Sequence, residues 1–179
     1  MLLTFSRFIL VLFYSIIILE APAVWSSDLE KIQKIENSTS LKDIKFFDFS
    51  NNPTDIVDKE TDFYIVNFWA SWCAPCIKEM KSLDRLKSKM PSIKVITVSQ
   101  DADIMDAIEF FKKNSYNNLE NYFDFNKTVS KHFSLRGLPT TFIFNNSLIS
   151  FAKVEGIIEW NSYKFTEWLK SQKNSSSSP

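Results

Sequence analysis

Hydrophobic and polar positions divide the chain into an apolar leader and an alternating body. Phe8 to Leu19 (FILVLFYSIIIL) is apolar except for Ser15. Beyond it, Leu29, Ile32 and Ile35 fall on one face of a short amphipathic helix within 27–37. Ile44 to Phe49 has the composition of a strand, ended by the turn Asn51-Asn52-Pro53. Phe63 to Phe68 (FYIVNF) is nearly all apolar or β-prone, which predicts a central strand buried on both faces. Ile77, Met80, Leu83, Leu86 and Met90 then recur at helical spacing, with Lys78, Lys81, Lys87 and Lys89 between them. That pattern predicts an amphipathic helix of about four turns, stopped by Pro91. Ile93 to Val98 (IKVITV) reads as a strand, so strand, helix and strand follow in the order of a parallel βαβ unit.

The remaining chain continues this alternation. Ile104, Ile108 and Phe111 mark one side of a helix over 103–114, and Asn121 to Phe125 is a short strand. Thr128 to Phe133 is a short helix, and Thr140 to Phe144 a strand. Asn145-Asn146 turns a hairpin into the returning segment Leu148 to Glu155, which Gly156 closes. Trp160 to Lys170 is the last helix, and 174–179 (NSSSSP) has the composition of a disordered tail. The expected organisation is a leader over 1–25, an extension over 26–43, one α/β domain over 44–173 and the tail.

Composition narrows the chemistry. With 45% hydrophobic residues and zero net charge, the 179-residue chain can bury a core and has no clustered basic face for nucleic acid. Only two glycines occur, Gly137 and Gly156, so no phosphate-cradling or dinucleotide loop is present and no cofactor is expected. The lone histidine, His132, excludes a two- or three-His metal site and reads as a surface or half-buried residue. The only two cysteines, Cys73 and Cys76, stand three apart, so most reactive chemistry falls to them.

The leader has the form of an export signal: Arg7 before the apolar run, then Ala21-Pro22-Ala23 as the cleavage region. Two outcomes are open. Cleavage after Ala23 releases a soluble domain; retention makes the run a membrane anchor, although it is shorter than the usual span of about 20 residues. In either case the domain is expected in the periplasm, an oxidising compartment where disulfides persist.

Cys73-Ala74-Pro75-Cys76 follows a predicted buried strand and opens a predicted helix. Unpaired N–H groups and the macrodipole at a helix N-terminus stabilise a thiolate, which suits Cys73 as the attacking group. Pro75 is compatible with the first turn. Cys76, nearly one turn on, can resolve a mixed disulfide formed by Cys73. Half of a zinc site is the rival reading, but it needs four ligands and the chain offers only these two thiols and His132.

Phe68-Trp69-Ala70-Ser71-Trp72-Cys73-Ala74-Pro75-Cys76, with Gly137-Leu138-Pro139-Thr140 before the penultimate strand, resembles the thioredoxin superfamily. The likeness runs from about Phe63 to Lys170. The export segment, the extra helix and strand near 103–125 and Asn67 before the motif resemble the TlpA-, ResA- and CcmG-like branch. The resemblance implies a thioredoxin-like α/β fold: a central mixed sheet flanked by helices, with a helix-strand insertion in the βαβ core. It implies that Pro139 is a cis-proline beside the disulfide and that Leu138 pairs with a partner's extended peptide. Trp69 and Trp72 would shield and border the site, and Trp72 and Pro75 would meet the substrate. Asn67 stands where cytoplasmic thioredoxins carry a buried aspartate, so that proton-handling role is vacant. Glu79, three residues after Cys76 and without a basic helical neighbour, is the candidate to fill it, against the alternative of a solvated helix glutamate.

The expected function is an exported thiol:disulfide oxidoreductase that reduces disulfides in protein partners. The resemblance points to cysteines of cytochrome c or of oxidase assembly, with a membrane electron donor for re-reduction. An oxidant that donates its disulfide to folding proteins and a module using the thiols to hold copper are the alternatives. Trp160 and Trp168, eight apart, read as packing residues of the last helix, and Phe46, Phe47 and Phe49 as core or edge strand.

Overall fold

A computed structural model of the chain describes residues 28–42 and 44–175. The predicted leader over 1–25 and the last four residues of the predicted tail lie outside them. A 3-10 turn, Asp28–Lys31, leads into β1 (Ile32–Lys34), and the hairpin β2 (Phe46–Phe47) and β3 (Pro53–Thr54) follows. Then come β4 (Phe63–Trp69), α1 (Ala74–Lys89), β5 (Ile93–Ser99), α2 (Ile104–Lys113) and β6 (Glu120–Phe123). The chain continues through α3 (Thr128–His132), β7 (Thr140–Asn145), β8 (Ser150–Glu155) and α4 (Tyr163–Ser175).

Six strands form one mixed sheet in the order β1-β8-β7-β4-β5-β6. β4, β5 and β6 run parallel, whereas β7 is antiparallel to β4 and β8 to β7. The helix–strand insertion thus extends the first βαβ unit into a second, with β6 as a parallel edge strand.

β4 is buried at every position, as its apolar run predicts. Its alternation divides the core, because successive strand side chains point to opposite faces. Ile65 and Trp69 pack with Met80, Leu83 and Leu86 of α1 and with Phe165 and Leu169 of α4. Tyr64, Val66 and Phe68 pack on the other face with Phe46, Val129 and Phe133. Asn67 shares parity with Ile65 and Trp69 and so faces α1. Truncating a fully buried residue such as Leu83 to alanine would cost about 2–5 kcal/mol.

Four expectations change. The segment 27–37 is not an amphipathic helix: after the 3-10 turn, Ile32 to Lys34 pair with Val154 to Ala152 as an edge strand. Three predicted helical turns are marginal alone, and an open sheet edge offers backbone partners. The strand expected over 44–49 shortens to Phe46–Phe47, because the Asp48 carboxylate accepts the Ser50 and Asn52 amides at 2.8 Å each and turns the chain. Trp160 is not on the last helix. The Ser162 hydroxyl accepts the Phe165 amide at 3.2 Å and starts α4 there, and α4 continues to Ser175, past the predicted start of the tail. Ile77 is exposed, because the buried stripe of α1 runs through Cys76, Glu79, Met80, Leu83 and Leu86 instead.

Candidate redox active site

The parallel strands end together. β4 ends at Trp69, paired with Ser99 of β5, and Ser99 pairs with Phe123 of β6. Phe68 pairs with Thr140 at the start of β7, so Pro139 sits next to the point where the cysteine loop leaves β4. In parallel α/β sheets, this end of the strands is where sites form.

Cys73 and Cys76 form a disulfide with a Cα–Cα distance of 5.3 Å. Cys73 is the N-cap of α1, and its Sγ accepts the Cys76 amide at 3.4 Å. Pro75 lies in the first turn, where no helical N–H is lost. Cys76 is fully buried and Cys73 retains slight exposure, 5% against 0%. The Leu138–Pro139 bond is cis. The Pro139 carbonyl accepts the Gly156 amide at 2.9 Å, and the Thr140 hydroxyl donates to the Gly137 carbonyl at 2.8 Å. Pro139 is buried and Leu138 half-buried. Trp72 is 70% exposed beside the disulfide, whereas Trp69 is buried against Phe110 and Phe111 of α2.

Glu79 is 1% exposed, which excludes the solvated-helix reading. Asn67 Nδ2 donates to its Oε1 at 2.8 Å, and the Trp160 indole N–H donates to its Oε2 at 2.8 Å. Asn67 also donates to the Thr141 hydroxyl at 2.9 Å across the strand pair. Burial pushes the Glu79 carboxyl up to about 7; the hydrogen bonds from Trp160, Asn67 and the Ile158 backbone pull the other way and lose. Asn67 and Glu79 are therefore one hydrogen-bonded unit.

Sequence reasoning missed two contributors. Trp160, read as a packing residue, holds Glu79. Asp101, fully buried just past β5, accepts the Ser71 amide at 3.0 Å, the Ser71 hydroxyl at 2.9 Å and the Ser99 hydroxyl at 2.8 Å. It ties the loop before the cysteines to the sheet. Its place at the C-terminal end of a parallel strand was a usable signal; Trp160, 81 residues from Glu79, had none. His132 is exposed on α3 beside Ile44, Lys45 and Phe47 rather than at the thiols. Beside the cis-proline loop an open cleft of about 540 Å³ is lined by Gln100, Lys131, Leu135, Arg136 and Leu138.

A disulfide capping the first long helix, next to a cis-proline that opens the neighbouring strand, defines a dithiol–disulfide protein of thioredoxin fold. A family model described as thioredoxin-like matches residues 60–148. A thiol-disulfide oxidoreductase ResA from Bacillus thuringiensis is 26% identical over 141 residues, covering 78% of this chain and 80% of that protein. A structure from Chlorobium tepidum, described as a thiol:disulfide interchange protein DsbE, superposes with a TM-score of 0.66 at 19% identity, covering 78% of this chain and 98% of that one. A secreted disulfide oxidoreductase from Mycobacterium tuberculosis gives a TM-score of 0.60 at 16% identity, covering 72% and 95%. The chain therefore has a thioredoxin-like fold and is similar to ResA- and DsbE-type thiol:disulfide oxidoreductases.

Proposed function

We propose that this oxidoreductase is exported and works as a reductant of disulfides in partner proteins, of the cytochrome c or oxidase assembly type. Cys73 is its nucleophile, Cys76 its resolving thiol and Glu79 its proton acceptor. The observation that carries the reading is the pairing of a helix-capping Cys73 with a buried Glu79 one turn beyond Cys76. The Cys73 thiolate attacks one sulfur of the partner's disulfide; that S–S bond breaks, a mixed disulfide forms, and one partner thiolate leaves. The Cys76 thiol then passes its proton to the Glu79 carboxylate and attacks Cys73 Sγ, and the second partner thiolate leaves. Two electrons have moved to the partner, and the protein holds the Cys73–Cys76 disulfide. A carboxyl near pH 7 suits this proton exchange, because efficient acid–base groups titrate near the working pH.

The partner's strand lies along Leu138 and Pro139, bordered by Trp72 and Pro75, and continues into the cleft between Lys131 and Arg136. Exposed Trp72 supplies the apolar contact, since amphipathic aromatics anchor protein interfaces. The apolar leader after Arg7 is what supports export; a membrane electron donor would restore the dithiol, and the leader, if retained, would anchor the domain.

The test is the reduction potential of the Cys73–Cys76 couple, by equilibration with glutathione or dithiothreitol buffers. A value near or below about −270 mV is expected for a reductant. A value near about −120 mV would make it an oxidant that donates its disulfide. Tightly held copper in the reduced protein, without turnover of disulfides, would replace both with a thiol-ligand module.

A further inference from the structure

Glu79 is covered by the segment between β8 and α4. That segment contributes the Trp160 indole and the Ile158 backbone to the Glu79 carboxyl. It is held from outside by the N-terminal 3-10 turn. The Asp28 carboxylate accepts the Glu159 amide at 2.9 Å, and Lys31 Nζ donates to the Ile157 carbonyl at 2.9 Å. Both bonds join residues more than 120 positions apart, on either side of Ile158. Lys89 of α1 fixes the far end of the segment through the Asn161 carbonyl at 2.8 Å. Under the turn lies a cavity of about 220 Å³, with Glu79 in its wall and Asp28, Lys31, Lys78 and Glu159 as its charged groups.

We propose that Asp28 and Lys31 are positioning residues for the Glu79 proton site: they latch segment 157–161 over the carboxyl and set its access to water. This deepens the proposed function and rests on Glu79 being the proton acceptor. The charged groups around the cavity come from every element that closes it: Asp28 and Lys31 from the turn, Lys78 from α1, and Glu159 from the segment. On the inner side the carboxyl meets uncharged Asn67 and Trp160. Because desolvation is the largest influence on Glu79, loosening the latch admits water and lowers its proton affinity. Losing the indole donor alone does the reverse.

The experiment is a titration of the Glu79 side-chain carbonyl by 13C NMR in the oxidised full chain, which carries the Cys73–Cys76 disulfide. Alongside it, the pH profile of the resolving step is measured in wild type and Glu79→Gln. The paired change Asp28→Ala and Lys31→Ala removes two partly exposed side chains whose own ion pair, at 3.7 Å, adds little to folding. It is expected to lower the Glu79 midpoint by about one pH unit. Asp28→Asn with Lys31→Arg keeps an acceptor and a donor and is expected to restore the wild-type midpoint. Trp160→Phe is expected to raise the midpoint. An unchanged or raised midpoint in the paired alanine variant, with wild-type Glu79 titrating near 7, overturns the latch and leaves the proton acceptor standing. An ordinary wild-type midpoint, or a Glu79→Gln profile identical to wild type, overturns the proton-acceptor reading itself.

Discussion

Two carboxylates, Asp101 and Glu79, are buried near one disulfide, and their surroundings differ. Asp101 accepts three donors from Ser71 and Ser99, close in space at the end of the sheet. Ser99 is two positions away at the end of β5, whereas Ser71 lies 30 positions away in the loop before the cysteines. Glu79 sits inside α1 and draws its donors from β4 and from the segment before α4. There, burial outweighs the hydrogen bonds and the carboxyl is raised to about 7. Burial alone therefore assigns no role. A carboxylate whose oxygens take several short donors from two segments acts as a fastener between them, whereas one left short of compensation near neutral pH can exchange protons.

The largest effect expected from this comparison is on folding at Asp101. Asp101→Ala leaves the Ser71 amide and hydroxyl and the Ser99 hydroxyl without their acceptor and should cost about 4 kcal/mol, measured by urea denaturation of the oxidised protein. Asp101→Asn keeps one acceptor oxygen and should lose less. Equal losses in the two variants would show that the charge, and not the acceptor geometry, holds the loop.

Next comes the pH dependence at Glu79. Its folded pKa, about 7, lies above the ordinary value of 4.5. Between these values the native state keeps a proton that the unfolded state has lost. Stability is therefore fully present below about pH 4.5 and falls as pH rises through 7, by up to about 3 kcal/mol. Urea midpoints across this range should show the fall in wild type and a flatter profile in Glu79→Gln. A wild-type profile that is already flat would remove the proton-exchange role from Glu79.

Trp160→Phe keeps most of the packing in the Trp160–Phe165 contact and removes one donor to Glu79. A loss of about 1–2 kcal/mol is expected at pH 8, shrinking at pH 5 where the carboxyl is neutral. Equal losses at both values would assign the indole to packing alone. The smallest effect on stability belongs to Trp72→Ala. With the residue 70% exposed, the change should stay within about 0.5 kcal/mol. Its cost should instead appear as a raised KM toward a protein disulfide with kcat nearly unchanged.

The sequence by itself determined the elements whose signals are local. The apolar run of β4, the helical spacing of α1, its stop at Pro91 and the Cys-Ala-Pro-Cys cap all follow from neighbouring residues. So does the resemblance carried by Gly137-Leu138-Pro139-Thr140. Glu79 was legible as a candidate because its helical neighbours offer no cation. Tertiary structure decided the remainder. Ile32 to Lys34 became a strand because β8 offered an open edge, and Ile77 turned outward because Cys76 took the buried stripe. Trp160 met Glu79, and Asp28 met Glu159, because the sheet brings distant loops to one place. Such contacts depend on which elements pack together, and hydrophobic periodicity within one segment carries no information about the partner it will meet.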